Sequence, residues 1–374
     1  MTSYMNIIAN IITNVKSGID IISNICYNIH MNKYYNGDKL CNMKDITGRQ
    51  PEIIICTSNR TAGKTTYFGK KLVDSFLAGN GKFILLYRYN YELEDCANKF
   101  FKDLSGLFYN GARMSDKKQQ NAGYANLYLG ENHCGYAISI NSADNIKKFS
   151  HVFSDATAML FDEFQSENSR YCKNEIAKFI SIHTSVARGQ GEQVRFVPVY
   201  MLSNPVSLLN PYYTALGIST RLRKETKFLR GDGYVLEQAY NDTASQAQKN
   251  SAFQNAFAEN KYTAYSSQGI YLHDDRTFIA KPAGRGRYLC TLRYDEKDYS
   301  VIEYADEGYI YCGTNPDRSF PIRIAVTTAD HNINFVMLKQ NLFLVNLLRY
   351  YFERGAFRFK NLNAKEAILK TISY

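Results

Sequence analysis

The sequence IIICTSNRTAGKTT, at residues 53–66, begins with a short apolar run and continues into a small, polar turn. In a P-loop, backbone N–H groups and a helix N-terminus hold phosphates, while the lysine reaches the β- and γ-phosphates and the Thr hydroxyl binds Mg²⁺. Here Ser58 stands where the consensus has its first Gly, so the stretch alone fits a degraded P-loop or a chance polar turn. The candidate loop comprises Ser58, Asn59, Arg60, Thr61, Ala62, Gly63, Lys64, Thr65 and Thr66.

A second motif, AMLFDE at residues 158–163, is an apolar strand that ends in two adjacent acids. The carboxyl ends of neighbouring parallel strands open onto one crevice, so these acids can meet the loop. Asp162 can then hold Mg²⁺ while Glu163 polarises the attacking water. An acid pair at a strand end is common, but its combination with a strand, P-loop and helix is rare. The two motifs together predict nucleotide hydrolysis.

Apolar runs alternate with helical segments around these motifs. Runs too short for helices and without polar alternation are typical of strands buried on both faces. The alternation predicts an α/β fold with a parallel sheet and crossover helices. The predicted strands are 52–56, 83–87, 158–161 and 194–202, and the predicted helices are 65–77, 91–104 and 174–186.

The length of 374 residues predicts two domains. The Ala-, Gln- and Asn-rich segment that begins at Asp242 predicts a helical connector, and the short strands and apolar helix Phe335–Phe352 beyond it predict a small α+β domain. We therefore expect an N-terminal helix and extension (1–50), a P-loop domain (51–241), a helical linker (242–268) and a C-terminal domain (269–374).

Net charge and cysteine content restrict the partners and the compartment. The chain has 45 Lys and Arg against 35 Asp and Glu, a surplus of 45 − 35 = +10 that favours nucleic acid or another polyanion. The stretch Met5–Ile29 contains Lys16 and Asp20 and is too polar to span a bilayer, so no membrane is expected. Free buried thiols are expected at Cys26, Cys41, Cys56, Cys96, Cys134, Cys172, Cys290 and Cys312, which have no zinc-site spacing.

Two further polar residues lie near predicted element ends. Arg188 is in the loop SVARGQG after a helix, where it can reach the nucleotide of a neighbouring subunit or simply be a solvated charge. Asn204 ends an apolar strand and can sense the γ-phosphate, or it can be a turn residue before Pro205.

Four segments carry a resemblance to a known family: Arg60 with Lys64–Thr65, Tyr87-Arg88-Tyr89 with Glu92-Leu93, Phe161-Asp162-Glu163-Phe164, and Leu202-Ser203-Asn204 with Asn210-Pro211-Tyr212. Together they resemble the genome-packaging ATPases of phi29-like podophages. The resemblance is strongest from Ile53 to Tyr213. It implies a RecA-like P-loop NTPase of the additional-strand (Lys/Glu) class, a small linker and a C-terminal domain resembling a vestigial RNase H-like nuclease.

The same resemblance implies roles for individual residues. Ser58 and Thr61 depart from the family's loop, where glycines are often seen. The implied roles are the P-loop arginine for Arg60, the Walker A pair for Lys64 and Thr65, the Walker B acid for Asp162, the catalytic base for Glu163, the trans-acting arginine finger for Arg188 and the sensor for Asn204.

The resemblance also implies ligands and partners. ATP and Mg²⁺ are the expected cofactors. The expected partners are double-stranded DNA, further copies in a homo-oligomeric ring that we expect to be a pentamer, the phage portal or procapsid, and a packaging RNA. Such a protein works in the host cytoplasm, transiently docked on the procapsid. The alternatives are another P-loop DNA translocase or helicase, and a non-hydrolysing DNA-binding structural protein with a decayed P-loop.

The C-terminal acids form no strand-centred pair comparable to Asp162-Glu163, and two-metal cleavage needs converging carboxylates. We therefore interpret them as solvated surface charge and expect no nuclease activity. The acids are Asp295, Glu296, Asp298, Glu303, Asp306, Glu307, Asp317 and Asp330. A basic group interleaved with tyrosines either contacts phosphates of DNA or of a structural RNA, or is an ordinary basic surface; it comprises Arg285, Arg287, Arg293 and Arg323 with Tyr288 and Tyr294. Candidate DNA-gripping residues are Lys147 and Lys148.

Overall fold

The computed structural model describes residues 35–119, 122–168, 170–189, 191, 193–208, 210–219, 221–222, 226–268, 271–272, 281–354 and 356–373. The predicted helix Met5–Ile29 and Cys26 lie outside these ranges. Within them, no helix has both the length and the apolar composition needed to cross a membrane. The seven cysteines described are all unpaired, and all but Cys41 are buried.

The first sheet has nine strands in the described residues, with the order β3-β4-β5-β2-β6-β7-β1-β9-β8. Its six central strands, from β5 to β9 in that order, run parallel, and β3, β4 and β8 add antiparallel edges. The strands are β1 Ile53–Thr57, β2 Lys82–Tyr87, β3 Met114–Lys118, β4 Tyr124–Leu129, β5 Asn132–Ser139, β6 Ala156–Phe161, β7 Val199–Ser203, β8 Phe228–Arg230 and β9 Tyr234–Gln238.

Helices cover both faces of this sheet, which explains the uninterrupted apolar strands. In β1, Ile54 and Cys56 pack into the core beneath the helices at 64–77 and 96–108, whereas Ile55 packs into the core beneath the helices at 143–148, 175–186 and 211–215. The helices of this part are α1 Asp38–Cys41, α2 Lys64–Leu77, α3 Cys96–Phe108, α4 Ala143–Lys148, α5 Glu175–Val186 and α6 Pro211–Ala215.

Three helices follow the last strand of this sheet and lead towards a second sheet. They are α7 Asp242–Lys249, α8 Ala252–Ala256 and α9 Lys261–Gln268. The second sheet has the order β14-β13-β10-β11-β12-β15 in the described residues, and its core contains side chains of the two final helices. Its elements are β10 Arg287–Tyr294, β11 Lys297–Tyr304, β12 Tyr309–Gly313, β13 Arg323–Ala325, β14 Val336–Met337, α10 Leu342–Glu353, β15 Phe357–Phe359 and α11 Leu362–Ile372.

Three predicted boundaries are wrong. The strand predicted at 194–202 begins only at Val199, because Val194 and Phe196 are 76% and 52% exposed. The helix predicted at 91–104 begins at Cys96, after a 3₁₀ turn, and ends at Phe108. The apolar segment predicted as one helix from Phe335 first forms β14 and a turn. Apolar composition alone cannot locate these breaks.

Candidate functional site

The loop after β1 leads directly into α2 with a left-handed residue at the helix start. Gly63 caps α2 with φ +95°, which glycine adopts at no steric cost. Thr61 also has a positive φ, +59°, at the position where we noted a missing glycine. Its hydroxyl accepts a hydrogen bond from Gln248 of α7 at 2.9 Å, which helps to hold this conformation. At Thr61 the loop therefore has a glycine-type backbone without a glycine.

Lys64 is buried at the centre of the loop, with 7% of its surface exposed. Its Nζ donates to the Ser58 hydroxyl at 3.0 Å and to Asn204 Oδ1 at 3.2 Å. The Ser58 side chain thus replaces the consensus glycine with a hydroxyl that binds the lysine. Burial lowers the Lys64 pKa, and the nearby Cys56, Asp162 and Glu163 side chains oppose that shift only in part. A bound anion would stabilise the charged amine.

The acids after β6 lie beside the start of α2. The Thr65 hydroxyl donates to Asp162 Oδ2 at 2.6 Å, although the two residues are 97 positions apart in the chain. Asp162 Oδ1 accepts the Glu163 backbone N–H at 2.9 Å, which fixes the carboxylate. Burial, and then the Asp162 charge, raise the pKa of Glu163, which has φ +54°. The two sequence motifs therefore meet at one edge of the sheet, the edge formed by the carboxyl ends of its parallel strands.

Arg60 lies at the rim of this edge and bonds to an acid that the motifs did not identify. Its Nη2 donates to Glu167 Oε1 at 2.6 Å. Its Nε–H is buried and has no hydrogen-bond partner. A cavity of about 300 Å³ adjoins these groups and is lined by Arg60, Glu163, Glu167 and Asn204 among others. An unmatched buried donor beside a polar cavity fits an oxyanion ligand.

Arg188 is the one predicted site residue that lies at the opposite edge of the sheet, formed by the amino ends of the parallel strands. It follows α5, is exposed, and donates from Nε to the Thr184 carbonyl at 3.0 Å. Next to it, Arg195 donates to the Ala156 carbonyl at the start of β6, whereas Asp162 follows the end of β6. Arg188 is therefore remote from Lys64 of the same chain.

A buried ion pair supports the segment after Glu163, and the sequence motifs assigned it no role. Arg88, at the end of β2, donates from Nη2 to the Phe164 carbonyl at 2.7 Å. Its Nε contacts Glu175 at 3.0 Å, with 9% and 1% of the two side chains exposed. Tyr212 also donates to Glu175, at 2.8 Å. In the sequence, only the position of Arg88 between two tyrosines, in the second segment of the resemblance, indicated that this residue has a specific role.

The C-terminal acids do not all match the interpretation as solvated surface charge. Glu303 and Asp330 are 8% and 4% exposed. Glu303 accepts from Arg287 at 2.6 Å and from Tyr351 at 2.9 Å, whereas Asp330 accepts the Glu296 backbone N–H at 3.1 Å. That interpretation is wrong for these two, because hydrogen bonds compensate their burial. Among the described residues, no group of three His, Cys, Asp or Glu side chains could hold a metal ion.

The candidate basic contacts are partly engaged within the protein. Arg293 pairs with Asp298 at 3.2 Å, and Arg323 donates to the Arg318 and Phe320 carbonyls. In α4, Lys147 and Lys148 are exposed, and Lys147 pairs with Asp144 at 3.5 Å.

The chain is similar to a family of known proteins over most of its length. A model of the family described as "Podovirus DNA encapsidation protein (Gp16)" matches residues 29–372. The chain belongs to this family. The predicted resemblance is thereby confirmed, and the function of this encapsidation protein is viral DNA packaging.

Individual relatives agree with this membership. The DNA packaging protein of Bacillus phage phi29 is 24% identical over 319 residues, which is 84% of this encapsidation protein and 90% of the phi29 protein. A chain of the bacteriophage Phi-29 genome packaging motor assembly superposes with a TM-score of 0.52 and 21% identity, covering 91% of this chain and 99% of the other. A chain of the Phi-28 gp11 DNA packaging motor gives 0.57 and 17%, covering 91% and 98%. The two structures show a shared fold.

We predict that Glu175→Ala destabilises the protein by about 3–5 kcal/mol, because Arg88 would stay buried without its carboxylate. Urea unfolding measures this change. The matched control is Asp232→Ala, which breaks the Arg49–Asp232 pair with side chains 70% and 69% exposed and should cost under about 1 kcal/mol. Equal losses of unfolding free energy in the two variants would contradict a stabilising role for the buried Arg88–Glu175 pair.

The positive φ of Glu163 predicts that Glu163→Gly is more stable than Glu163→Ala by about 1 kcal/mol, because only glycine avoids the Cβ clash in the left-handed region. Thermal unfolding of the two variants gives the difference. At Lys71, within α2, the order should reverse, with Lys71→Gly about 1 kcal/mol less stable than Lys71→Ala. The same order at both positions would argue against strain at Glu163.

Proposed function

We propose that this encapsidation protein is an ATP-driven motor subunit that moves double-stranded DNA into a preformed capsid. The main support for this proposal is the 2.6 Å hydrogen bond between Thr65 and Asp162, which lies beside the buried Lys64 side chain. A hydroxyl, a carboxylate and an amine so placed are the groups that Mg²⁺ and a triphosphate require. In a structural protein with a decayed loop, no function would preserve this arrangement of the hydroxyl, the carboxylate and the amine.

The residues fit Mg-ATP in their chemistry. Mg²⁺ is usually held by one or two carboxylates together with water and phosphate oxygens, so Thr65 and Asp162 suffice without a cluster of acids. When bound, the metal neutralises charge on the β- and γ-phosphates. The backbone of residues 58–66 would hold the phosphates, and Lys64 would bind their terminal oxygens. The buried Nε–H of Arg60 supplies a further donor.

Glu163 is the proposed base. Its raised pKa makes it a better proton acceptor than an ordinary glutamate, provided the pH lies above that pKa. The side chain would orient a water towards the γ-phosphate and accept its proton. Asn204, bonded to Lys64 at 3.2 Å, is placed to respond when the lysine turns to phosphate. It is the proposed sensor that links hydrolysis to movement.

A neighbouring subunit would complete the site. Arg188 is exposed at the opposite edge of the sheet, so it is suited to act on the nucleotide of the next subunit and not on its own. A closed ring, which we propose to be a pentamer, gives every subunit one neighbour on each side. Positive charge at the developing γ-phosphate is the expected contribution of Arg188.

The remaining parts of the proposal concern architecture and partners. The strand β7 lies between β1 and β6, which supports a RecA-like domain of the additional-strand class at 51–241. We assign 242–268 to the linker and 269–374 to a vestigial RNase H-like domain without nuclease activity. The ring would dock on the portal or procapsid in the host cytoplasm, with a packaging RNA as a further partner. Lys147 and Lys148, exposed on α4, are the proposed grip on duplex phosphates.

ATP turnover tests the catalytic assignment. Glu163→Gln removes the base and Lys64→Ala removes the phosphate ligand, so each should lower the rate of phosphate release by about 100-fold or more. Lys71→Ala, at an exposed position on the same helix, is the control and should keep the wild-type rate. Wild-type turnover no faster than that of Glu163→Gln would refute the ATPase proposal.

Mixed assemblies test whether Arg188 acts in trans. Subunits with Arg188→Ala and subunits with Lys64→Ala should each be inactive alone. Mixed, they should regain turnover, because a Lys64→Ala subunit can donate its intact Arg188 to the intact loop of a neighbour. Mixing Lys64→Ala with Glu163→Gln subunits is the control. No rescue is expected there, since each change damages the nucleotide site of its own subunit and no subunit in the mixture has an intact site. A mixture of the first pair as inactive as its components would refute the trans role.

A further inference from the structure

We propose that Arg195 is the positioning residue that holds Arg188 in place for the nucleotide site of the neighbouring subunit. This inference rests on the proposed function, in which Arg188 acts in trans. It gives Arg195 a role in the ATP turnover of the next subunit and no role in the nucleotide site of its own.

Arg195 closes the base of the segment that carries Arg188. Its backbone N–H donates to the Ala187 carbonyl at 2.8 Å, and its Nη2 donates to the Val186 carbonyl at 2.6 Å. These two carbonyls belong to the residues directly before Arg188, at the end of α5. One residue thus brings the chain back to the point where Arg188 leaves the helix.

The same side chain joins this point to the sheet. Arg195 Nη1 donates to the carbonyl of Ala156, the first residue of β6, at 3.1 Å. Arg195 is 8% exposed, whereas its neighbours Val194 and Phe196 are 76% and 52% exposed. The guanidinium therefore connects the end of α5 to the sheet on the inner side of a segment whose outer side faces solvent.

The bonding of Arg195 suits a residue that fixes geometry. Both hydrogen-bond partners of its side chain are main-chain carbonyls, and its Nε–H has no partner among the described residues. A buried cation without a carboxylate carries a desolvation cost that an apolar side chain would not have. An apolar side chain, however, could not bond the free carbonyls at a helix end, where a cation also interacts favourably with the helix dipole. Arg195 therefore determines where the end of α5 lies.

The direction of Arg188 depends on that position. The Arg188 side chain is exposed, and its Nε donates to the Thr184 carbonyl in the last turn of α5 at 3.0 Å. Gly189 follows with φ +105°, and a Cβ there would lie 3.2 Å from the Ser154 Cβ, so the chain turns directly after Arg188. Both the main chain and the side chain of Arg188 are thus referred to the helix end that Arg195 holds.

ATP turnover by mixed assemblies tests this role. Arg195→Met fills the same space without the donors, and alone it should lower the rate of phosphate release by up to about 100-fold, the effect of misplacing a catalytic group by about 1 Å. Mixed with Lys64→Ala subunits, it should regain turnover. The Lys64→Ala subunits have an intact Arg195 and Arg188, which can act on the intact loop of an Arg195→Met neighbour.

Two further variants of the full chain complete the design. Arg349→Met is the matched control, because Arg349 also donates to a main-chain carbonyl, that of Ile372 at 2.8 Å, but lies in α10; it should keep the wild-type rate. Arg195→Lys replaces Arg195→Met should circular dichroism show that the latter does not fold. A lysine keeps a cation that can bond one carbonyl, so the expected loss is smaller, about fivefold, with the same rescue.

The outcomes separate this inference from the proposed function. Wild-type turnover by the folded Arg195 variant would overturn it. A loss that the mixture does not restore would also overturn it, because the damage would then lie in the variant's own site, reached through β6 and Asp162. Arg188→Ala subunits that the same Lys64→Ala partner fails to rescue would overturn the trans role of Arg188 and this inference together.

Discussion

The end of β7 is the constraint on which the candidate site depends. Its last two carbonyls accept backbone hydrogen bonds from the loops on either side, from Ser58 at 3.3 Å and from Phe164 at 3.1 Å. The parallel register then aligns the strands on both sides, with Ile55 and Phe161 each opposite Met201. Residues that are far apart in sequence are thereby held at hydrogen-bonding distance. A shift of one residue would turn each side chain to the other face of the sheet.

Two of the seven described non-glycine residues with a positive φ belong to the candidate site. Thr61 and Glu163 both have a left-handed conformation, which costs about 1–2 kcal/mol for a residue with a Cβ. Such residues persist where the surroundings determine their conformation. At Thr61 the connection to Gln248 contributes, and at Glu163 the hydrogen bond to Asp162 does so. At these two positions the strain therefore lies in segments that the proposed mechanism uses.

The sequence predicted the parts of this arrangement that depend on local pattern. Uninterrupted apolar runs identified β1 and β6, because helices bury both faces of the sheet. The pairing of Arg88 with Glu175 could not be predicted, since it joins β2 to α5 through tertiary packing. Glu167 was missed for the same reason: its partners come from the loop and from α9, which no local pattern connects. The strands β3, β4 and β8 at the sides of the sheet lack the uninterrupted apolar runs that identified β1 and β6.

The placement of charge constrains how such a protein can work. Within one chain, two acids, Glu163 and Glu167, lie at the candidate catalytic edge. The two cations there, Lys64 and Arg60, already have protein partners. On our proposal, a triphosphate bound there would draw Lys64 or Arg60 away from its protein partner. Arg188 cannot compensate from within the chain, because it lies at the opposite edge of the sheet. On our proposal, the bound nucleotide therefore requires a cation from the next subunit.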